Sequence, residues 1–156
     1  MTNAIELRYY YSIVNYLYLT QIKENLSQKG YRHTPIREAI LDIIIKGKRP
    51  FSASLLLSAL EKRKISVNKT TVYRELATLE KEKILERVEM GDNQRWYEAA
   101  LFGHHHHLVC QKCSRVEDLE IPKKIKSKLE QLVTKKRFTP KRHTIEFFGF
   151  CKQCQL

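Results

Sequence analysis

Hydrophobic residues in the first half of the chain recur at helical spacing, in segments separated by turn residues. The pattern predicts a helix that ends at Gly30, a second helix that begins at the N-cap Thr34 and Pro35, and two more that begin at Ser52 and Asn68. The residues expected on the buried faces are Ile22, Leu26, Ile36, Ile40, Leu41, Ile44, Ile45, Leu55, Leu56, Leu60, Val72, Leu76 and Leu79. A packed set of short helices is therefore expected.

Residues 1–19 form a tyrosine-rich extension ahead of these helices. Tyr9, Ile13, Tyr16 and Leu17 recur at helical spacing, which predicts an amphipathic helix whose stripe is a packing surface. We expect no signal peptide, because charged residues occur early and no small-residue cleavage site follows.

The period of the pattern changes after the fourth helix. Ile84, Glu86 and Val88 alternate with their neighbours, and the turn-forming residues 91–94 follow, which is typical of a β-hairpin. Three short helices and a hairpin predict a winged helix-turn-helix domain over residues 20–99. In such a domain the last helix enters the major groove of DNA and the wing touches the backbone.

A second domain is predicted over residues 104–156. Its expected segments are strands at 105–110 and 115–119, a helix at about 122–136 and a strand at 142–148. The whole chain is thus expected to have an α+β fold, with a winged helix followed by a small α/β domain.

Composition and charge narrow the class of partner. Hydrophobic residues make up 42% of the 156 residues, which is enough for packed cores. Lys and Arg number 29 against 17 Asp and Glu, and the net charge of +12 fits a nucleic-acid partner and a merely solvated basic surface equally well. An acidic membrane surface is a weaker alternative, because no basic amphipathic anchor is evident. No apolar run approaches the roughly 18 residues of a membrane span. The CxxC pairs without a secretory signal predict a reducing cytoplasm as the location.

All four cysteines lie in two CxxC pairs, Cys110 with Cys113 and Cys151 with Cys154. Two such pairs can place four thiolates around one Zn²⁺ ion at about 2.3 Å and leave no open position. The alternatives are two unrelated thiol pairs or a redox CxxC motif. The spacing favours structural zinc in a reducing compartment.

Four consecutive histidines, residues 104–107, lead into Cys110. Side chains on a strand alternate between two faces, so His105 and His107 share one face and His104 and His106 share the other. Two imidazoles at this spacing can hold a metal ion. Candidate carboxylate partners flank the run at Glu98 and Asp118. Such mixed ligands suit exchangeable Fe²⁺, Mn²⁺, Zn²⁺ or Ni²⁺.

The fourth helix carries the candidate DNA-contacting residues Lys69, Thr70, Thr71, Tyr73 and Arg74. Its first turn offers hydroxyl and N–H groups to phosphate, whereas tyrosine and arginine reach base edges. Upstream of the second helix, Arg32 is placed to enter a narrow, A·T-rich minor groove. The alternative is an ordinary exposed helix face.

Four motifs together resemble the ferric uptake regulator (Fur) family of bacterial metalloregulators, from about Gly30 to Cys154. They are Thr34-Pro35-x-Arg37, Thr71-Val72-Tyr73-Arg74-x-Leu76, the run from His104 into Cys110-x-x-Cys113, and Gly149-x-Cys151-x-x-Cys154. The resemblance implies a homodimer, formed through the second domain, that binds A·T-rich palindromic operators when its regulatory metal is present.

The resemblance also assigns site residues. It implies structural zinc on Cys110, Cys113, Cys151 and Cys154. It implies a sensing site on Glu98, His105, His107 and Asp118, and a further metal site on His104, His106 and His143. Tyr73, Arg74 and Arg32 match DNA-contacting positions of the family.

Two departures from the family pattern concern its metal sites. A histidine that many members supply to the sensing site corresponds here to Pro50. A glutamate of the further site is missing from Pro122-Lys123-Lys124-Ile125-Lys126. The tyrosine-rich start is also longer than usual in the family.

Other functions compete with this interpretation. An enzyme is not expected, because the HExxH and zinc-deaminase signatures are missing. A metal-independent zinc-ribbon protein that binds nucleic acid is the remaining alternative. Within the family, a repressor of metal homeostasis genes that senses iron is favoured by the spacing of Glu98 and His105. Zinc, manganese, nickel and peroxide sensing stay open, although no fifth cysteine supports a zinc-uptake type of site.

Overall fold

The computed structural model describes residues 4–47, 49–103, 105–141 and 143–155, with side chains from residue 13 onward. The chain divides into two compact units. The first comprises Met1–Val88 and Arg95–Leu101, and the second comprises Glu89–Gln94 and Phe102–Leu156.

Four helices build most of the first unit: α1 (Ala4–Gln28), α2 (Pro35–Gly47), α3 (Ala53–Lys62) and α4 (Lys69–Lys81). Polar caps fix where three of them begin, as predicted. Thr34 Oγ1 accepts from the Arg37 N–H at 3.2 Å, and Ser52 Oγ accepts from the Leu55 N–H at 3.4 Å. Asn68 Oδ1 accepts from the Thr71 N–H at 2.8 Å. These bonds satisfy N–H groups that have no partner inside the helix.

The same unit contains an antiparallel sheet of strands β1 (Phe51–Ser52), β2 (Leu85–Val88) and β3 (Trp96–Ala99), in the order β1-β3-β2. In the hairpin, Arg87 lies opposite Tyr97. Within the connection, which is grouped with the second unit, the Gln94 N–H donates to Asp92 Oδ1 at 3.0 Å. A 3-10 turn, Ala100–Phe102, follows β3. Helices followed by this hairpin form the predicted winged helix.

The core of the winged helix is aliphatic. Its most deeply buried side chains are Ile40, Leu41, Ile45, Leu56, Leu60, Val72, Leu76, Leu79 and Leu85. Two details of the predicted pattern are wrong. Leu55 is 51% exposed, because α3 buries Ala53, Leu56 and Leu60 on a face that excludes it. The alternation from Ile84 through Glu86 also fails, since Ile84 and Leu85 are both buried at the start of β2.

Helix α1 is continuous through the predicted extension and ends before Gly30, whose φ is +81°. Ile22 and Leu26 are 3% exposed, as expected for the face against α2. By contrast, Tyr16 and Leu17 of the predicted packing stripe are 70% and 60% exposed in the single chain. Among the described residues, no helix is both long and apolar enough to span a membrane.

The second unit contains strands β4 (His106–Cys110), β5 (Val116–Leu119) and β6 (Glu146–Gly149), and helix α5 (Lys123–Lys135). The strand order is β5-β4-β6, with β4 antiparallel to β5 and parallel to β6. Strand β6 begins later than the predicted residue 142, after the segment around His143. The predicted α+β class, a winged helix followed by a small α/β domain, is confirmed.

Candidate functional site

The four cysteines come together where two parallel strands end. Cys110 is the last residue of β4 and lies beside Gly149 of β6, so the chain after β6 returns directly to it. Tight turns shape each CxxC pair: the Ser114 N–H donates to the Cys110 carbonyl, and the Cys154 N–H donates to the Cys151 carbonyl, both at 2.8 Å. All four sulfur atoms lie within 4.8 Å of one another.

This cluster fits a structural zinc site. A tetrahedron with Zn–S bonds of about 2.3 Å has S–S edges of about 3.8 Å. The Sγ atoms of Cys113 and Cys151 are 3.8 Å apart. The measured distance between the two sulfur atoms thus equals the edge expected around zinc. Four thiolate ligands would leave no open coordination position on the ion.

Electrostatics at the cysteines also suits a bound cation. Hydrogen bonds from the backbone of Cys151 and then Cys113 lower the pKa of the Cys110 thiol to about 6. The Cys151 N–H lies 3.3 Å from Cys110 Sγ. A hydrogen bond with Cys151, followed by burial, raises the pKa of Cys154 to about 12. The Cys110 thiol thus loses its proton more readily than an ordinary thiol and the Cys154 thiol less readily, and a bound cation would favour the thiolate form of both.

A second set of side chains that could bind a metal ion lies around β4, where His105 and His107 are close to Asp118 of β5. The rings of His105 and His107 have centroids 4.7 Å apart, in agreement with the predicted shared face. Asp118 lies opposite His107 in the register, and its Oδ1 is 4.0 Å from His105 Nε2. His105 Nδ1 is 3.0 Å from the Gly103 carbonyl, an acceptor that orients the ring.

The remaining predicted ligand of this site, Glu98, belongs to the first unit. It is the third residue of β3 and only 6% exposed. Pro50, which stands where many family members have a histidine, is buried just before β1. An imidazole is therefore missing from that position.

The predicted further metal site is described only in part. His106 and His143 have ring centroids 5.7 Å apart, with the ring planes tilted by 33°, so the structure brings these two residues together. His104 lies outside the described residues.

The candidate DNA-contacting residues lie on the exposed side of α4. Its other side buries Val72, Leu76 and Leu79, and this places Tyr73 and Arg74 outward, with Tyr73 44% exposed. Within the described residues, neither Arg74 nor Arg32 forms an ion pair with a carboxylate. Both guanidinium groups are thus available to phosphates or base edges.

The predicted DNA-contacting residues in the first turn of α4 differ in their exposure to solvent. Lys69 and Thr70 are exposed, and the Lys69 ammonium lies 5.8 Å from the centroid of the Tyr73 ring. Thr71 is half-buried, and its hydroxyl donates to Asn68 Oδ1 at 3.1 Å. The hydroxyl of Thr71 therefore helps to cap the helix.

Sequence reasoning missed an ion pair beneath this surface. Arg37 Nε and Nη2 donate to the two carboxylate oxygens of Glu75 at 2.8 and 2.9 Å. The residues are 38 positions apart, and no local pattern links them. The only available signal was Arg37 in the Thr34-Pro35-x-Arg37 motif.

Comparison with known proteins places the chain in a family. The model of the ferric uptake regulator family matches residues 28–148. The ferric uptake regulation protein of Bacillus subtilis (strain 168) is 28% identical over 141 residues, covering 87% of this chain and 93% of that protein. The peroxide-responsive repressor PerR of Staphylococcus aureus (strain USA300) is 28% identical over 132 residues, covering 84% and 87%.

A structure of the ferric uptake regulator from Francisella tularensis with iron has a TM-score of 0.74 to this chain, at 26% identity. It covers 81% of this chain and 96% of that one. The fold, the cysteine cluster and the match of the family model over most of the chain lead to one conclusion: this protein belongs to the ferric uptake regulator family.

Proposed function

We propose that this protein is a metal-responsive, sequence-specific DNA-binding transcriptional regulator and not an enzyme. It acts as a cytoplasmic repressor of metal homeostasis genes. The observation that carries the proposal is the exposed pair Tyr73 and Arg74 on α4, in a domain joined to one that presents metal-ligating side chains. DNA recognition and metal binding thus occur in one chain.

Two metal sites have different roles in this proposal. The four cysteines hold Zn²⁺ in a closed site that stabilises the second unit. The exchangeable site is built from His105, His107 and Asp118, with Glu98 as the ligand contributed by the winged helix. A carboxylate as buried as Glu98, at 6% exposure, is a suitable partner for a divalent ion. Oxygen and imidazole ligands suit Fe²⁺, Mn²⁺, Zn²⁺ and Ni²⁺, and the spacing of Glu98 and His105 leads us to propose Fe²⁺.

Ligands from both units let one ion restrain the winged helix. Two half-sites of an operator demand a set separation of two recognition helices, so restraint raises operator affinity. A factor of about 100 in affinity corresponds to about 2.7 kcal/mol of coupling, which is in the usual range. The operator is a palindromic, A·T-rich duplex in which Arg32 enters the minor groove.

A homodimer follows from the uncovered apolar face of α5. Ile125, Leu129 and Leu132 recur on one side of the helix and are 49%, 40% and 61% exposed in the single chain. Phe147 and Phe150 of the β6 region are also exposed, at 53% and 55%, and exposed apolar side chains of this kind suit contact with a second copy.

Selection of operators from random duplexes tests this function. The protein is stripped of exchangeable metal with its zinc retained, and selection is run with Fe²⁺ under anaerobic conditions, with Mn²⁺, and without added metal. We expect one palindromic site to be enriched only with a divalent ion. Equal enrichment without metal would instead support a metal-independent nucleic-acid-binding protein.

Peroxide sensing is a second candidate, favoured by the 28% identity with the PerR repressor. In that case hydrogen peroxide would abolish operator binding of the Fe²⁺ form and leave the Mn²⁺ form active. Mass spectrometry would then find an added oxygen on His105 or His107.

A further inference from the structure

The segment that carries Arg32 is attached to the recognition helix by a largely buried ion pair. Arg37, in the first turn of α2, forms two parallel hydrogen bonds with Glu75 in the middle of α4. Their side chains are 11% and 14% exposed. Two bonds in the plane of the guanidinium group fix orientation as well as distance.

The remaining guanidinium nitrogen of Arg37, Nη1, contacts the loop that carries Arg32. This nitrogen donates to the carbonyl of Arg32, and the guanidinium carbon lies 5.6 Å from the centroid of the Tyr31 ring. Arg37 therefore contacts both the backbone of the candidate minor-groove residue and the helix that presents Tyr73 and Arg74.

A second clamp acts at the end of the recognition helix. Glu82, the C-cap of α4, accepts from the Tyr31 hydroxyl at 2.9 Å and from the ammonium group of Lys29. Its side chain is 10% exposed. The loop between α1 and α2 is thus bound to α4 at two places, seven residues apart along that helix.

We propose that Arg37 and Glu75 are positioning residues for DNA recognition. They hold Arg32 at a set distance from Tyr73 and Arg74, so that the minor-groove and major-groove contacts form together. This inference rests on the proposed function, in which Arg32 contacts the minor groove and Arg74 contacts the major groove of the same DNA duplex. The pair also neutralises Glu75, a carboxylate next to Arg74 that would otherwise repel the phosphates.

The pair serves geometry more than stability. A buried ion pair can be exchanged for neutral side chains of similar size with little loss of stability, whereas removal of one partner leaves an uncompensated charge. The informative variant is therefore the double substitution Arg37→Met with Glu75→Gln. A control is Arg63→Met with Asp42→Asn, which removes the 2.8 Å ion pair between the C-cap residue of α3 and α2, together with the ion pair of Asp42 with Lys46.

The test measures operator affinity of the metal-loaded dimer, affinity for random duplex, and thermal unfolding. We expect the Arg37/Glu75 variant to unfold near the native temperature and to bind random duplex normally, but to lose about tenfold or more in operator preference, the size of one base contact. The control pair should keep its preference. Unchanged operator preference in the folded Arg37/Glu75 variant would overturn the inference.

A mutant cycle with Arg32→Ala separates positioning from general damage. In the native background this substitution should weaken operator binding about tenfold, and in the Arg37/Glu75 background by less than about threefold. Equal losses in both backgrounds would refute the coupling. The single substitution Arg37→Lys, with Glu75 retained, should also reduce operator preference, because an ammonium group cannot form two parallel hydrogen bonds with the carboxylate.

Two further measurements keep the test decisive. If the double variant is poorly folded, Tyr31→Phe removes only the bond to Glu82 and should still reduce operator preference, whereas no change would count against the clamp. Amide exchange without DNA should be faster in the loop around Tyr31 and Arg32 of the variant. The proposed function is tested independently by operator selection: it is wrong if the native protein enriches no operator, whatever the variants do.

Discussion

His107 and Asp118 stand directly opposite each other on the antiparallel strands β4 and β5. Opposite residues of such a pair project to the same face of a sheet, and His105 joins them two residues along. The result is a patch of two imidazoles and a carboxylate whose spacing is set by strand register. Strand register therefore fixes the spacing of His107 and Asp118, whereas His105 lies just before β4.

Asp118→Ala should lower the affinity for the exchangeable ion by about tenfold or more, because it removes an anionic group beside both imidazoles. Isothermal titration of stripped protein with Mn²⁺ measures this, and zinc content should stay at the native level. The control is Glu117→Ala, since Glu117 alternates to the other face and pairs with Arg115 at 2.9 Å. Equal affinities for Mn²⁺ in the native protein and Asp118→Ala would remove Asp118 from the site.

Cys110→Ser should release zinc and unfold the second unit. Cys110 is 3% exposed and joins β4 to the chain after β6, so its loss breaks the link between two strands. Metal analysis and circular dichroism check this, with the exposed neighbour Gln111→Ala as control. A variant that keeps its zinc and its native melting curve would contradict a structural role for the cluster.

The signals that predicted the fold were local. Thr34, Ser52 and Asn68 each accept a hydrogen bond from a backbone N–H three residues away. Their role as N-caps can therefore be predicted from a few neighbouring residues. Gly30 ends α1 because its positive φ suits glycine and the Tyr31 N–H can then donate to the Leu26 carbonyl. The two CxxC pairs were readable for the same reason, since each is a short turn.

Relationships between distant segments were not readable. The parallel pairing of β4 with β6 is not encoded by the period of either strand, although it brings Cys151 to Cys110. The bond from Arg37 to Glu75 depends on how α2 crosses α4. Leu55 was assigned to the core because hydrophobicity alone does not tell which of two adjacent leucines faces inward.

Leu132→Asp should dissociate the dimer. Leu132 is 61% exposed in the single chain, and a carboxylate in an apolar interface costs more than 1.4 kcal/mol, or about tenfold in the dissociation constant. Sedimentation equilibrium measures the change. Gln131→Asp adds the same charge next to it, off the apolar face, and should leave the dimer intact. If both variants sediment as native dimers, α5 lies outside the interface.

Glu82→Gln should make the winged helix less sensitive to acid. The hydrogen bond from Lys29, followed by that from Tyr31, holds the pKa of Glu82 below its ordinary value. A carboxyl whose pKa is lower in the folded state contributes stability above its unfolded pKa of about 4.3, and this contribution is lost as the pH falls through the folded value. The native protein should therefore lose part of its stability below about pH 4, and the variant should lose less.

Urea unfolding followed at pH 7 and pH 3.5 measures this difference through the midpoint of the winged-helix transition. Glu61→Gln, which removes an exposed acid from α3, is the control and should behave as the native protein does at both pH values. At pH 7 Glu82→Gln should unfold at lower urea than either, because Lys29 has lost its charged partner. A native midpoint at pH 7 together with a native shift at pH 3.5 would show that the bonds of Glu82 do not stabilise the loop. The attachment of Tyr31 to α4 would then depend on Arg37 alone.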